Sequence, residues 1–146
     1  MCILFYKVED EFGCFSNFAH YSFEANGKTW MTSEHYFQAQ KFEGTEYEEI
    51  IRRLDNPMKA AKMGRNRSLP LRKNWEEIKD EVMRGAVFEK FVQNVEIKSI
   101  LLSTGDQEII ENTTSDYYWG CGKKGDGKNM LGKILMEVRE RLKETV

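Results

Sequence analysis

A chain of 146 residues, 40% hydrophobic and 32% charged, suits one domain spanning 1–146 rather than two. Its 12% aromatic content excludes a disordered chain, and its net charge of −2 excludes a globally basic nucleic-acid binder. Cys2, Cys14 and Cys121 form no CxxC pair, and with only His20 and His35 the chain offers neither a disulfide framework nor a Cys/His zinc site.

The opening MCILFYKVEDEF lacks the basic start and apolar run of a signal peptide. No stretch approaches the ~20 apolar residues of a membrane span. A soluble, cytoplasmic protein in a reducing compartment, with no membrane partner, is expected.

The first predicted element is a strand, ILFYKV (3–8). FGCFSNFAHYSF (12–23) follows, with Ser16-Asn17 as a turn among phenylalanines; Asn17 is either a plain turn residue or an amide that reads a ligand. Asn26-Gly27 between Tyr21, Phe23, Thr29 and Trp30 predicts a hairpin. Thr32 or Ser33 should cap a helix running to about Glu43, stopped by Gly44. TEYEEIIRRL (45–54) predicts a second helix, and Asn56 before Pro57 starts a third, PMKAAKMG, ending at Gly64. NRSLPLRKN (66–74) is a loop. A long helical pattern from Trp75 to about Leu102 calls for a break near Gly85 or Gln93-Asn94. EIIENT is a candidate short strand, DYYWGCGKKGDGKN a glycine-rich loop, and MLGKILMEVRERLK the closing helix. Few strands and no βαβ interleaving predict a helix-rich α+β domain with a small antiparallel sheet.

Four constellations carry possible chemistry. Glu34, Gln38 and Lys41 recur at i, i+4, i+7, so a carboxylate, an amide and an amine share one stripe of the first helix. Two readings are open: a solvated face, or three groups aimed into a pocket. Burial would raise the Glu34 pKa and lower that of Lys41, making the amine a nucleophile toward a masked sugar aldehyde. His35 points roughly 100° away and reads as a packed structural residue. Lys59, Lys62, Arg65, Arg67, Arg72 and Lys73 form a basic run with no intervening acid. It is either a solvated face or a site for one or two phosphates. The glycine-rich loop fits GxGxxG and GxxxxGK by composition, but no βαβ frame supports a dinucleotide fold or phosphate loop. Tyr117, Tyr118 and Trp119 beside it are either stacking platforms or core residues.

FSNF (15–18), WMTSEHYFQAQKF (30–42), NPMKAAKMGRNRSLPLRKNWEEIKDEVM (56–83), YWGCG (118–122) and GKNMLGKILMEVRE (127–140) together resemble the NADAR, or YbiA-like, family, in that family's order. The resemblance implies a single α+β domain that binds a ribose-phosphate or ADP-ribose moiety and hydrolyses an N-glycosidic bond, with no metal and no cofactor. Two substrate classes are implied: phosphoribosylamino-pyrimidine intermediates of riboflavin synthesis, and ADP-ribose on guanine, including ADP-ribosylated nucleic acid as a partner. Lys41 would attack the anomeric carbon and hold the opened sugar as a Schiff base, with Glu34 as general acid/base. Asn17, Phe18, Trp119 and Gly120 would line the pocket, Gln38 would hold a ribose hydroxyl, and Arg65 and Arg72 would meet phosphate or shape its site. Cys121 and Lys123-Lys124 depart from the family pattern. An N-glycoside departs through an oxocarbenium-like state usually served by two carboxylates; one carboxylate and one amine on the stripe make a lysine route more natural. The competing reading is a non-catalytic ADP-ribose or nucleotide-binding module. Oligomeric state is not legible.

Overall fold

The computed structural model describes residues 2–144. β1 (Cys2–Phe5) is shorter than its apolar run, because Lys7 turns back through its N–H to Asp10 Oδ2 at 2.9 Å. β2 (Phe23–Ala25) and β3 (Lys28–Trp30) form the expected antiparallel hairpin, with Asn26 at φ 55° and Gly27 at φ 74°. Two successive positive φ angles match the twist of the flanking strands. Trp30 is fully buried beneath the hairpin, its indole N–H donating to the Ala25 carbonyl at 3.0 Å.

Thr32 caps α1 (Ser33–Gln40) by accepting from the His35 N–H. The α-helix ends three residues before Glu43, the expected end. Lys41, Phe42 and Glu43 instead bond the carbonyls of Gln38, Ala39 and Gln40, each three residues back, which tightens the chain into turns before Gly44. α2 (Glu46–Arg52) is capped by Thr45, and α3 (Pro57–Gly64) by Asn56, as its Asn-Pro start predicts. The long apolar pattern divides at Asn94 into α4 (Trp75–Gln93) and α5 (Val95–Ser103), while Gly85 stays helical. Asn94 is extended, and its side chain donates to the Ser22 and Lys90 carbonyls. β4 (Glu108–Glu111) and α6 (Met130–Glu144) complete the chain. Among the described residues no helix is long and apolar enough to cross a membrane.

The fold is helix-rich α+β, and the predicted antiparallel sheet is β2–β3. A second ribbon, parallel, joins β1 to β4, with Phe5 opposite Glu111. α6 packs on β4, and α4 lies against α1, α6 and β2. One apolar cluster surrounds Phe15, Phe91, Ile109 and Leu135; a second surrounds Trp30, Phe42 and Ile51. α1 lies between them, giving Phe37 to the first and Ala39 to the second. No side of α1 is free to be a solvated face: of its eight residues only Tyr36 is not buried.

Asn129 secures the edge of β4. Its Oδ1 accepts from the Glu111 N–H and its Nδ2 donates to the Ile109 carbonyl, both at 2.9 Å, so one side chain replaces a missing strand. It does so from a left-handed backbone, φ 53°. Asn129→Ala should destabilise the fold by about 2–4 kcal/mol, since a donor and an acceptor lose their partner and alanine is strained there. Urea unfolding should show a lower midpoint at an unchanged slope.

Candidate active site

Glu34, Gln38 and Lys41 are 8%, 5% and 8% exposed, and all three face one cavity of about 960 Å³. The stripe is therefore pocket lining. The Thr32 cap sets the first turn, and Gln38 Nε2 donates to Glu34 Oε2 at 2.8 Å. Gln38 Oε1 is buried without a partner and packs against Gly64, where a Cβ would collide with the amide. Lys41 Nζ donates to the Gly64 carbonyl at 3.1 Å and sits 5.8 Å from the Phe37 ring centroid and 5.9 Å from that of Trp75.

These surroundings retune both groups. Burial lowers the Lys41 pKa from 10.5 to about 8, opposed by the Glu34 charge and assisted by Arg67 and Arg65. Burial raises Glu34, against the pull of its Gln38 hydrogen bond and of the Lys41 and Arg65 charges. The amine is thus eased toward its neutral, nucleophilic form, and the carboxyl toward a form that carries a proton.

Asn17 does more than turn. Its backbone carbonyl accepts from the Glu34 N–H at 3.1 Å and its Oδ1 from Ser33 Oγ at 2.7 Å, joining the loop to the start of α1. Asn17 and Phe18 both line the cavity. Behind them lies Lys90, which the sequence reading does not single out. It is 1% exposed and donates to the Ser16 carbonyl at 2.9 Å. Burial lowers its pKa to about 7, with the neighbouring Cys14 opposing.

Trp119 lines the opposite wall, edge-to-face on Phe37 at 5.3 Å. Asp116 Oδ1 holds its loop by accepting from the Tyr118 and Trp119 N–H groups. Tyr118 is structural: its hydroxyl donates to Asp80 at 2.6 Å, and Lys79 sits 4.0 Å over its ring. His35 is fully buried between Thr32 Oγ1 and the Leu54 carbonyl, and burial depresses its pKa.

Arg65 lines the cavity, but two other expected site residues do not. Arg72 turns outward to Glu43 Oε1 at 3.1 Å and also donates to the Gln40 carbonyl and Asn74, so it braces the turn that carries Lys41. Gly120 lies behind the wall, where a Cβ would strike Thr113, and its role is close packing. The glycine-rich segment 120–128 supplies none of the lining. Acids absent from the expected set also line it, Glu111 and Asp116 beside Trp119, and Glu9. The only sequence signals of Glu111 and Asp116 are a carboxylate closing the EIIE strand and an aspartate three residues before a tryptophan. Among the described residues no three His, Cys, Asp or Glu side chains are placed to hold a metal ion.

Comparison with known proteins extends this picture. The NADAR domain model matches residues 4–143. N-glycosidase YbiA of Shigella boydii serotype 4 is 56% identical over 140 residues, covering 96% of this chain and 88% of that protein. The riboflavin biosynthesis protein VVA0006 of Vibrio vulnificus is 42% identical over 142 residues, 97% of this chain but 39% of its own length. The NMR structure of the E. coli protein YbiA superposes with a TM-score of 0.92 at 53% identity, over 99% of this chain and 86% of that one. The buried Glu34–Gln38–Lys41 stripe thus sits in a fold and a sequence that place this chain in the NADAR domain family.

Proposed function

We propose that the protein is an N-glycosidase in which Lys41 attacks the anomeric carbon of a ribosyl phosphate and Glu34 manages the accompanying protons. The carrying observation is a lysine shifted to about 8 in the same buried cavity as a carboxyl shifted upward. At pH 7.5 roughly a quarter of such a lysine is neutral, against about 0.1% for an ordinary one. Phe37 and Trp75 keep the amine dry, and Arg65 supplies a fork for phosphate. Attack at the anomeric carbon by the Nζ lone pair releases the base. Glu34 then takes the proton from the alkylated amine, the ring opens to an imine, and water frees the sugar. Gln38, bonded to Glu34, would hold a ribose hydroxyl through its unpartnered carbonyl.

Similarity to proteins named N-glycosidase and riboflavin biosynthesis protein favours a phosphoribosylamino-pyrimidine as substrate. The cavity volume supports a second substrate, ADP-ribosylated guanine. About 960 Å³ lies at the upper end of small-molecule sites and exceeds what a ribose phosphate needs. Parallel assays of base release from the two compounds decide between them.

Borohydride added during turnover should reduce the imine and leave the sugar phosphate on Lys41, read by peptide mapping. No adduct there, together with undiminished turnover by Lys41→Ala, would sink the covalent mechanism.

A further inference from the structure

We infer that Glu111 is a second catalytic carboxyl, the acid that protonates the departing nitrogen of the base while Glu34 serves Lys41. The assignment rests on the N-glycosidase reading above. Glu111 closes β4, and its backbone is fixed on both sides: its N–H donates to Asn129 Oδ1, and its carbonyl accepts from the Thr113 and Cys121 N–H groups. The side chain is held at the cavity wall with Asp116 and Trp119.

The charges act on one another. Glu34 feels the positive charges of Lys41 and Arg65 and the negative charge of Asp116. Glu111 feels Asp116 and Glu34. Lys41 feels Glu34, Arg67, Arg65 and Glu76. Lys41, Arg65, Glu34, Glu111 and Asp116 thus share one cavity lining, two cations with three carboxyls. A ribosyl phosphate seated with its phosphate at Arg65 and its anomeric carbon at Lys41 leaves the rest of the same cavity for its base, and the departing nitrogen needs an acid there.

Asp116, Glu34 and Glu111 differ in their hydrogen bonds. Asp116 Oδ1 already accepts two backbone N–H groups. Glu34 accepts from Gln38. The Glu111 carboxyl has no donor of its own among the described residues. Burial, then the Asp116 and Glu34 charges, push it up to about 7. His20, Lys7 and Glu9 also line the cavity.

The step balances simply. The bond from the anomeric carbon to the base nitrogen breaks, and its electron pair stays on the nitrogen. The Glu111 proton moves to that nitrogen, leaving a carboxylate, while the Lys41 lone pair fills the vacancy at carbon. The carboxylate regains a proton from the water that later hydrolyses the imine.

The test compares wild type, Glu111→Gln and Asp116→Asn on a phosphoribosylamino-pyrimidine and on an N-ribosyl pyridinium 5′-phosphate. The pyridinium base leaves neutral and needs no proton. With the amine-leaving substrate, Glu111→Gln should lose about 10²–10⁴-fold in kcat. Its pH profile should change from a bell to a single rise near pH 8. Pyridinium release should stay within about threefold of wild type. Asp116→Asn keeps the Oδ1 acceptor but removes the charge, and should move the Glu111 limb to lower pH. Equal slowing of both leaving groups, or an unchanged bell in Glu111→Gln, would overturn the assignment. If the pyridinium compound is not turned over, the pH profiles decide alone. Borohydride trapping on Lys41 in the same samples reports on the parent mechanism, so a missing adduct with a retained leaving-group effect separates the two failures.

Discussion

Lys41→Arg is expected to abolish turnover while leaving substrate binding within a few-fold of wild type. Arginine keeps a positive charge and can still donate to the Gly64 carbonyl that Lys41 holds at 3.1 Å. It has no lone pair to offer at any accessible pH. Removing a covalent nucleophile costs on the order of 10⁴–10⁶ in kcat. Calorimetry should therefore report a Kd close to wild type beside single-turnover base release reduced by at least about 10⁴-fold. Retention of more than about a hundredth of wild-type kcat would mean the amine only positions the sugar. In Glu111→Gln, where no acid limb remains, the rate should rise with pH through about 8, because the neutral amine reacts and burial has brought its pKa down to that value; wild type should add a falling limb to give a bell. A non-catalytic binding module predicts something different: no base release from any N-glycoside by either protein.

The second large effect is on stability and changes sign with pH. Lys90→Met should stabilise the protein at pH 6 and destabilise it at pH 10. Burial lowers the folded-state pKa of Lys90 from 10.5 to about 7. Between those values the unfolded chain holds more protons than the folded one, so wild-type stability rises with pH. The cost of the buried charge is full below about pH 7 and has vanished above about pH 10.5. It is on the order of 3–5 kcal/mol. Methionine of similar volume escapes that cost but leaves the Ser16 carbonyl without its donor, losing about 1–3 kcal/mol at every pH. Urea unfolding of both proteins from pH 6 to 10 reads the difference. A constant difference would show that Lys90 does not titrate in the folded state. Because Ser16 precedes Asn17, the variant should also loosen the loop that carries the Glu34 N–H contact.

Local chemistry explains what the sequence makes legible. Thr32, Thr45 and Asn56 cap helices, and Asn26-Gly27 turns a hairpin, because each acts within three residues of itself. The Glu34–Gln38–Lys41 stripe is legible for the same reason, since helical periodicity alone places the three together. Its burial is not legible, because that depends on two apolar clusters closing over α1 from opposite sides. Arg72 shows the limit of charge counting: the basic run leaves open a solvated face or a phosphate site, and the ionic contact Arg72 makes is with Glu43, in the turn that carries Lys41. Glu111 and Asp116 escape notice because their place in the cavity depends on a parallel pairing between segments more than a hundred residues apart. No local period encodes that partnership.

That pairing also governs the order in which the molecule can be assembled. β1 is synthesised more than a hundred residues before its hydrogen-bonding partner, which begins at Glu108. The Asn129 side chain that secures β4 comes about twenty residues later still. Until then β1 is an open edge with Leu4 and Tyr6, each half exposed even in the finished fold, on its flank. Lys41 and Glu34 can be shaped early by α1 and its caps. Glu111 and Asp116 join the cavity only after β4 is made, so a chain stopped before Glu108 would carry the Glu34–Lys41 stripe without them.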